Sequence, residues 1–108
     1  MSQLYPNNTG KSVSLHNLQW SEIKSYLTSF LKEWAEKVVE RDRHVEYERG
    51  NMRVRVYGLS CRVDVYRRAI ADPNTWVQTG SSAGKEKRIV LGPRNSGFFI
   101  GSEHVRFT

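Results

Sequence analysis

The stretch that decides the fold runs from His44 to Val65, HVEYERGNMRVRVYGLSCRVDV. Val45 and Tyr47 alternate with His44, Glu46 and Glu48; after Gly50-Asn51, Met52, Val54 and Val56 alternate with Arg53, Arg55 and Tyr57. Period-two alternation on both sides of a glycine-asparagine turn signal is the mark of a β-hairpin. Folding the chain at that turn sets Arg49 opposite Met52 and Glu48 opposite Arg53. The next pairs are Tyr47 with Val54, Glu46 with Arg55, and Val45 with Val56. Apolar residues meet apolar ones and acids meet bases, so the register is self-consistent. A second two-residue turn at Gly58-Leu59 extends the meander. It sets Cys61 opposite Val56, Arg62 opposite Arg55, Val63 opposite Val54 and Asp64 opposite Arg53. That register contains one like-charge pair, Arg55 with Arg62, and puts Cys61 in the apolar row.

Upstream, Trp20, Ile23, Leu27, Phe30, Leu31, Trp34 and Val38 recur at spacings of three and four. This is the stripe of an amphipathic helix, predicted within residues 18–43. Glu22, Lys24, Lys32, Glu33, Glu36, Lys37 and Glu40 occupy the opposite face. A helix of about 20 residues is roughly 30 Å long. Before it, Val13-Ser14-Leu15 reads as a short edge strand, and residues 1–12, polar and holding Pro6 and Gly10, as a flexible N-terminal arm.

Downstream, residues 67–74 connect to a strand over Thr75–Thr79. Residues 80–87 read as a flexible basic loop, Arg88–Leu91 as a strand and Gly92–Gly97 as a turn. Phe98–Ile100 and His104–Phe107 are strands, or one strand broken at Gly101-Ser102. The expected fold is therefore α+β: one long N-terminal amphipathic helix packed on a curled antiparallel sheet of five or six strands. Residues 13–108 form its single domain. The order of short strand, helix and meander resembles that of cystatin-like proteins, which implies a sheet grasping one helix; the inhibitory loop pattern of that family is absent.

Consecutive apolar residues in Ile89-Val90-Leu91 and Phe98-Phe99-Ile100 point to opposite faces of their strands. One helix does not cover both faces. A dimer, a curled sheet or cover by the arm would resolve this.

The chain has 108 residues, the length of one domain. Its single cysteine, Cys61, cannot form an internal disulfide. No run approaches the roughly 20 apolar residues of a spanning helix, and the N-terminus lacks a basic start followed by an apolar stretch. A cytoplasmic protein without membrane association is expected. His16, His44 and His104 are dispersed, so no metal-ligand spacing exists. Asn8-Thr9-Gly10-Lys11-Ser12 holds the tail of a phosphate-binding loop, but Tyr5 stands where its first glycine belongs. Gly80–Lys85 misses the same pattern by one residue. No cofactor and no catalytic residue are read.

The net charge of +6 favours an acidic partner. The excess lies on the strands: residues 44–68 hold six arginines against three carboxylates. Glu46, Glu48 and Asp64 share rows with Arg53, Arg55 and Arg62, which would hold those carboxylates ionised rather than ready to donate protons. Small bacterial ribosome-dependent ribonuclease toxins share this basic composition, but they carry two N-terminal helices where one is read here. The expectation is a non-enzymatic module for RNA or DNA of low sequence specificity. Arg67, Arg68, Lys85, Lys87, Arg88 and Arg94 would contact phosphates, with Tyr57 and Tyr66 stacking on bases. The alternative is a homodimeric interaction or inhibitor protein whose contact surface is Trp76, Val77, Val90, Phe98 and Phe99.

Overall fold

The computed structural model describes residues 12–15, 18–82 and 89–107. Among them the chain forms one α-helix and nine strands in two antiparallel sheets. This overturns the expectation of one long helix on a single curled sheet. The flexible arm, apart from Ser12, lies outside the described residues, as do Lys85, Lys87 and Arg88.

The helix, α1 (Trp20–Trp34), is 15 residues long and buries Ile23, Tyr26, Leu27, Leu31 and Trp34. Glu22 in its first turn and Lys32 in its last suit the helix dipole. It stops at Ala35, whose backbone is extended and whose N–H donates to the Leu31 carbonyl. The chain then enters strand β2 (Lys37–Glu40), which pairs with β3 (His44–Arg49). Val38 thus belongs to a strand and not to the helical stripe. The physical reason lies in the pairing. Consecutive β-branched Val38 and Val39 favour a strand. Lys37 finds Glu48 and Val38 finds Tyr47 across the ladder, whereas a continued helix would set Glu36 against Glu40.

β3 pairs with β4 (Met52–Tyr57) in the register read from the sequence, from His44 opposite Tyr57 to Arg49 opposite Met52. The β4 pairing with β5 (Val63–Arg68) differs from the expected one by two residues: Val56 faces Val63, Arg55 faces Asp64 and Val54 faces Val65. An even slip keeps every side chain on its face. It also replaces the Arg55–Arg62 repulsion with an Arg55–Asp64 attraction. The turn lengthens accordingly, closed by the Tyr57 N–H on the Arg62 carbonyl at 3.1 Å. Cys61 moves into that loop, half-buried and out of the ladder. β6 (Trp76–Ser81) completes this larger sheet in the order β2-β3-β4-β5-β6, with a bulge opposite Val65 and Tyr66.

The smaller sheet joins β1 (Val13–Ser14), β7 (Ile89–Leu91), β8 (Gly97–Ile100) and β9 (Glu103–Arg106) in that order. The segment over Gly101-Ser102 is a hairpin turn between β8 and β9, not a break in one strand. Gly101 takes a left-handed φ of 61° there.

One core serves both sheets. Tyr47, Val54 and Val65 of the larger sheet and Leu91, Phe98 and Ile100 of the smaller join the buried residues of α1. Phe30 of the helix stacks on Phe107, ring centroids 4.9 Å apart, and Phe107 leans on Phe98 at 5.6 Å. The helix and the facing sheet thus cover the inner faces of both sheets, while Val90 and Phe99 stay half-buried on the other face of the smaller one. No helix among the described residues is long and apolar enough to cross a membrane.

Candidate nucleic-acid interface

With the valines of β4 and β5 turned inward, the alternate residues form the outer face of the larger sheet. There Glu46 is 3% exposed and Asp64 fully buried, unusual positions for carboxylates. Each is surrounded by partners. The Arg55 Nε lies 3.0 Å from Glu46, at an angle that makes the contact electrostatic rather than a hydrogen bond. The guanidinium groups of Arg53 and Arg41 approach Glu46 to 3.9 Å, and His44 Nε2 lies 3.1 Å away. Arg53 also reaches Glu48 at 3.3 Å. Asp64 accepts from Arg62 Nε at 2.9 Å and from the Ser81 hydroxyl at 2.7 Å.

Burial alone would raise the Glu46 carboxyl. The hydrogen bond with His44 and the charges of Arg53, Arg55 and Arg41 outweigh it and hold Glu46 below the usual carboxylate range. Burial pushes the Tyr66 phenol up. Its hydroxyl accepts from Arg55 at 3.2 Å and meets Gln78 at 3.3 Å. The face is thus a network in which sunken carboxylates anchor arginines.

Above those anchors the guanidinium groups lie over aromatic rings. Arg62 sits 5.3 Å from the Tyr57 centroid and Arg55 4.6 Å from that of Tyr66. Arg53 and Arg68 sit 4.3 and 4.4 Å from the Trp76 centroid. His44 leans on the other partner of its ladder pair, Tyr57, at 5.0 Å. Cation–π contact orients each guanidinium. Planar cations and planar rings then alternate across β4, β5 and β6. Such a surface is chemically suited to stacked bases and to anions that accept from in-plane N–H groups.

The expected residues divide as follows. Tyr57, Tyr66 and Arg68 share this face. Arg67 does not: as the neighbour of two outward residues it turns to the inner side, where it donates to Glu103 of β9 at 2.7 Å. Arg94 lies exposed on the short 3-10 turn Pro93–Asn95, between β7 and β8. Trp76, read as part of a protein contact, is half-buried within the arginine face. Val77 is 48% exposed on β6. Val90 and Phe99 are ladder partners, half-buried on the smaller sheet, where Phe99 stacks on His104 at 4.0 Å. Phe98 is fully buried in the core and offers no surface.

The sequence places Arg53, Arg55 and Arg62 in rows with Glu46, Glu48 and Asp64 and leaves them out of the expected contacts; the structure shows that Glu46 and Asp64 are buried beneath them. Trp76 stands directly opposite Arg68 in the β5–β6 ladder, a pairing hidden when residues 67–74 are read as a connection. Among the described residues no group of three or more His, Cys, Asp or Glu is placed to hold a metal ion. Comparison with protein families, with characterised proteins and with solved structures finds no match. The chemistry of the face therefore stands on its own.

Proposed function

We propose that the outer face of the larger sheet binds single-stranded RNA or DNA with little sequence preference. The observation that carries this reading is the set of arginine–aromatic pairs on β4, β5, β6 and the residue before β5: Arg62 on Tyr57, Arg55 on Tyr66, and Arg53 and Arg68 on Trp76. Bases stack on such planes whatever their identity, and guanidinium edges take the phosphates. Glu46 and Asp64 are buried below the cations they hold in place, so guanidinium edges rather than carboxylates are presented to a ligand. Held ionised, Glu46 serves this binding face as a scaffold for its arginines.

The test is fluorescence anisotropy of a labelled ten-nucleotide single strand against the full chain. With about three phosphates neutralised, log K against log salt concentration has a slope near −2. Trp76→Ala, which removes a stacking surface, weakens binding roughly tenfold. Absence of binding at low salt would remove this reading.

A further inference from the structure

A second surface lies on the opposite side of the larger sheet, at its β2 edge. The helix packs on the inner face of that sheet, and a groove of about 850 Å³ opens between its Lys24–Lys32 side and strands β2 and β3. Its floor is apolar, formed by Val45, Tyr47 and Val56. One wall is the helical stripe Lys24, Thr28 and Lys32; the other is Val38 of β2, an apolar residue left 46% exposed. Two acids and two bases, Glu40, Asp42, Arg41 and Arg43, stand at the strand end of the groove and balance one another, which leaves the helix-wall lysines as the net charge.

Two features together say what fits there. First, β2 is a terminal strand, paired with β3 and with no second strand among the described residues. Its free backbone edge is a template for another strand. Four residues of β2 extend about 13 Å, and the rise from Lys24 to Lys32 is about 12 Å, so edge and helix wall run for equal lengths. Second, the ionisable residues of the helix wall are both lysines. Lys32 is exposed, and no ion pair engages it among the described residues; Lys24 is half-buried and donates to the Gly58 carbonyl at 3.4 Å. An occupant must therefore supply an extended backbone, an apolar side chain for the floor and negative charge for the helix wall. We propose that an acidic, extended peptide segment of a partner protein docks here as an added strand on β2. Main-chain hydrogen bonds to the edge give affinity, and the groove beside Val38 reads alternate side chains. An amphipathic small molecule such as a fatty acid would use the floor and the lysines but leave the strand edge unused.

The test uses the full chain and a fluorescein-labelled ten-residue peptide, rich in Asp and Glu, with a central Val-Ile-Val. The expected result is saturable binding, with shifts of the backbone amide signals of residues 37–40. N-methylation of alternate peptide bonds, which deletes the strand donors, should weaken binding at least tenfold. Lys32→Glu should do the same with an unchanged circular dichroism spectrum; if that variant does not fold, Lys32→Gln should give a smaller loss in the same direction. Trp76→Ala should leave peptide affinity unchanged, which separates this site from the arginine face. Equal binding of the N-methylated peptide, or of a lysine-rich peptide with the same centre, overturns the proposal. So does perturbation of the 37–40 amides by dodecanoate but not by the acidic peptide.

Discussion

Arg55 stands directly opposite Asp64 in the β4–β5 ladder, and that pairing explains why the turn before β5 is longer than the shortest one the sequence allows. The two-residue turn would have set Arg55 against Arg62. The longer turn leaves Arg62 as the last residue before β5, from where it reaches Asp64 at 2.9 Å. Asp64→Ala removes a fully buried anion and strands its partners, Arg62 and Ser81; we expect a loss of about 3 kcal/mol in urea unfolding. Cys61→Ser, in the loop, should change stability by less than about 0.5 kcal/mol. A large effect at Cys61 would restore the alternative register.

One carboxylate clasps the two sheets through two hydrogen bonds. Glu103 of β9 accepts from Arg67 of β5 and from the Thr79 hydroxyl at the β6 bulge. Gly80 lies beside this clasp: an added Cβ would sit 3.0 Å from the Ile100 carbonyl oxygen and 3.2 Å from the Glu103 Cβ. Gly80→Ala should therefore push the sheets apart and cost about 1–3 kcal/mol. Glu103→Gln should cost about 1–2 kcal/mol, since Arg67 is partly solvated. Equal stability of both variants and the parent chain in chemical unfolding would show that the sheets do not pack in this way.

Acid should unfold the chain from two directions of the same sign. The hydrogen bond from Arg67 holds the Glu103 carboxyl below its usual range against the opposing effect of burial. Glu46 is lowered as well, its cationic neighbours outweighing its burial. Both groups bind protons more weakly folded than unfolded, so their contribution is complete above the ordinary carboxylate value of about 4.3 and is lost as pH falls through their folded values. His104 adds an earlier loss. Burial first, and the Arg106 charge second, hold its imidazole below the usual range. Its contribution therefore begins to fall as pH drops through about 6.5. Urea midpoints across pH 3–8 should show both steps. Glu46→Gln with Glu103→Gln should flatten the lower one, and His104→Asn the upper one. An unchanged profile in these variants would contradict the assignment.

Much of the fold was legible where local patterns agree with each other. The β3–β4 hairpin could be read because turn chemistry, face alternation and charge pairing all select one register. The helix start was legible from Trp20, Ile23 and Leu27. Its end was not, because Val38 satisfies both a helical stripe and a strand, and the tertiary offer of Tyr47 and Glu48 decides between them. The second sheet escaped for a related reason: strands that cover one another are invisible to a count that assigns all apolar surface to one helix. At the candidate site, the arginines and tyrosines could be placed by alternation alone. Depth could not, and depth is what separates Glu46 and Asp64, buried anchors, from the cations above them. Alternation also held the correction for Arg67, whose neighbours Tyr66 and Arg68 face outward.

The central claim is that bases and phosphates meet the arginine–aromatic face. Its most direct test is amide and indole chemical-shift mapping during titration of the full chain with a ten-nucleotide single-stranded RNA at low salt. The account predicts the largest shifts at Tyr57, Tyr66, Arg68 and the Trp76 indole, shrinking as salt rises. Saturable binding that leaves these signals in place and shifts those of the smaller sheet or of the β2 groove would contradict it.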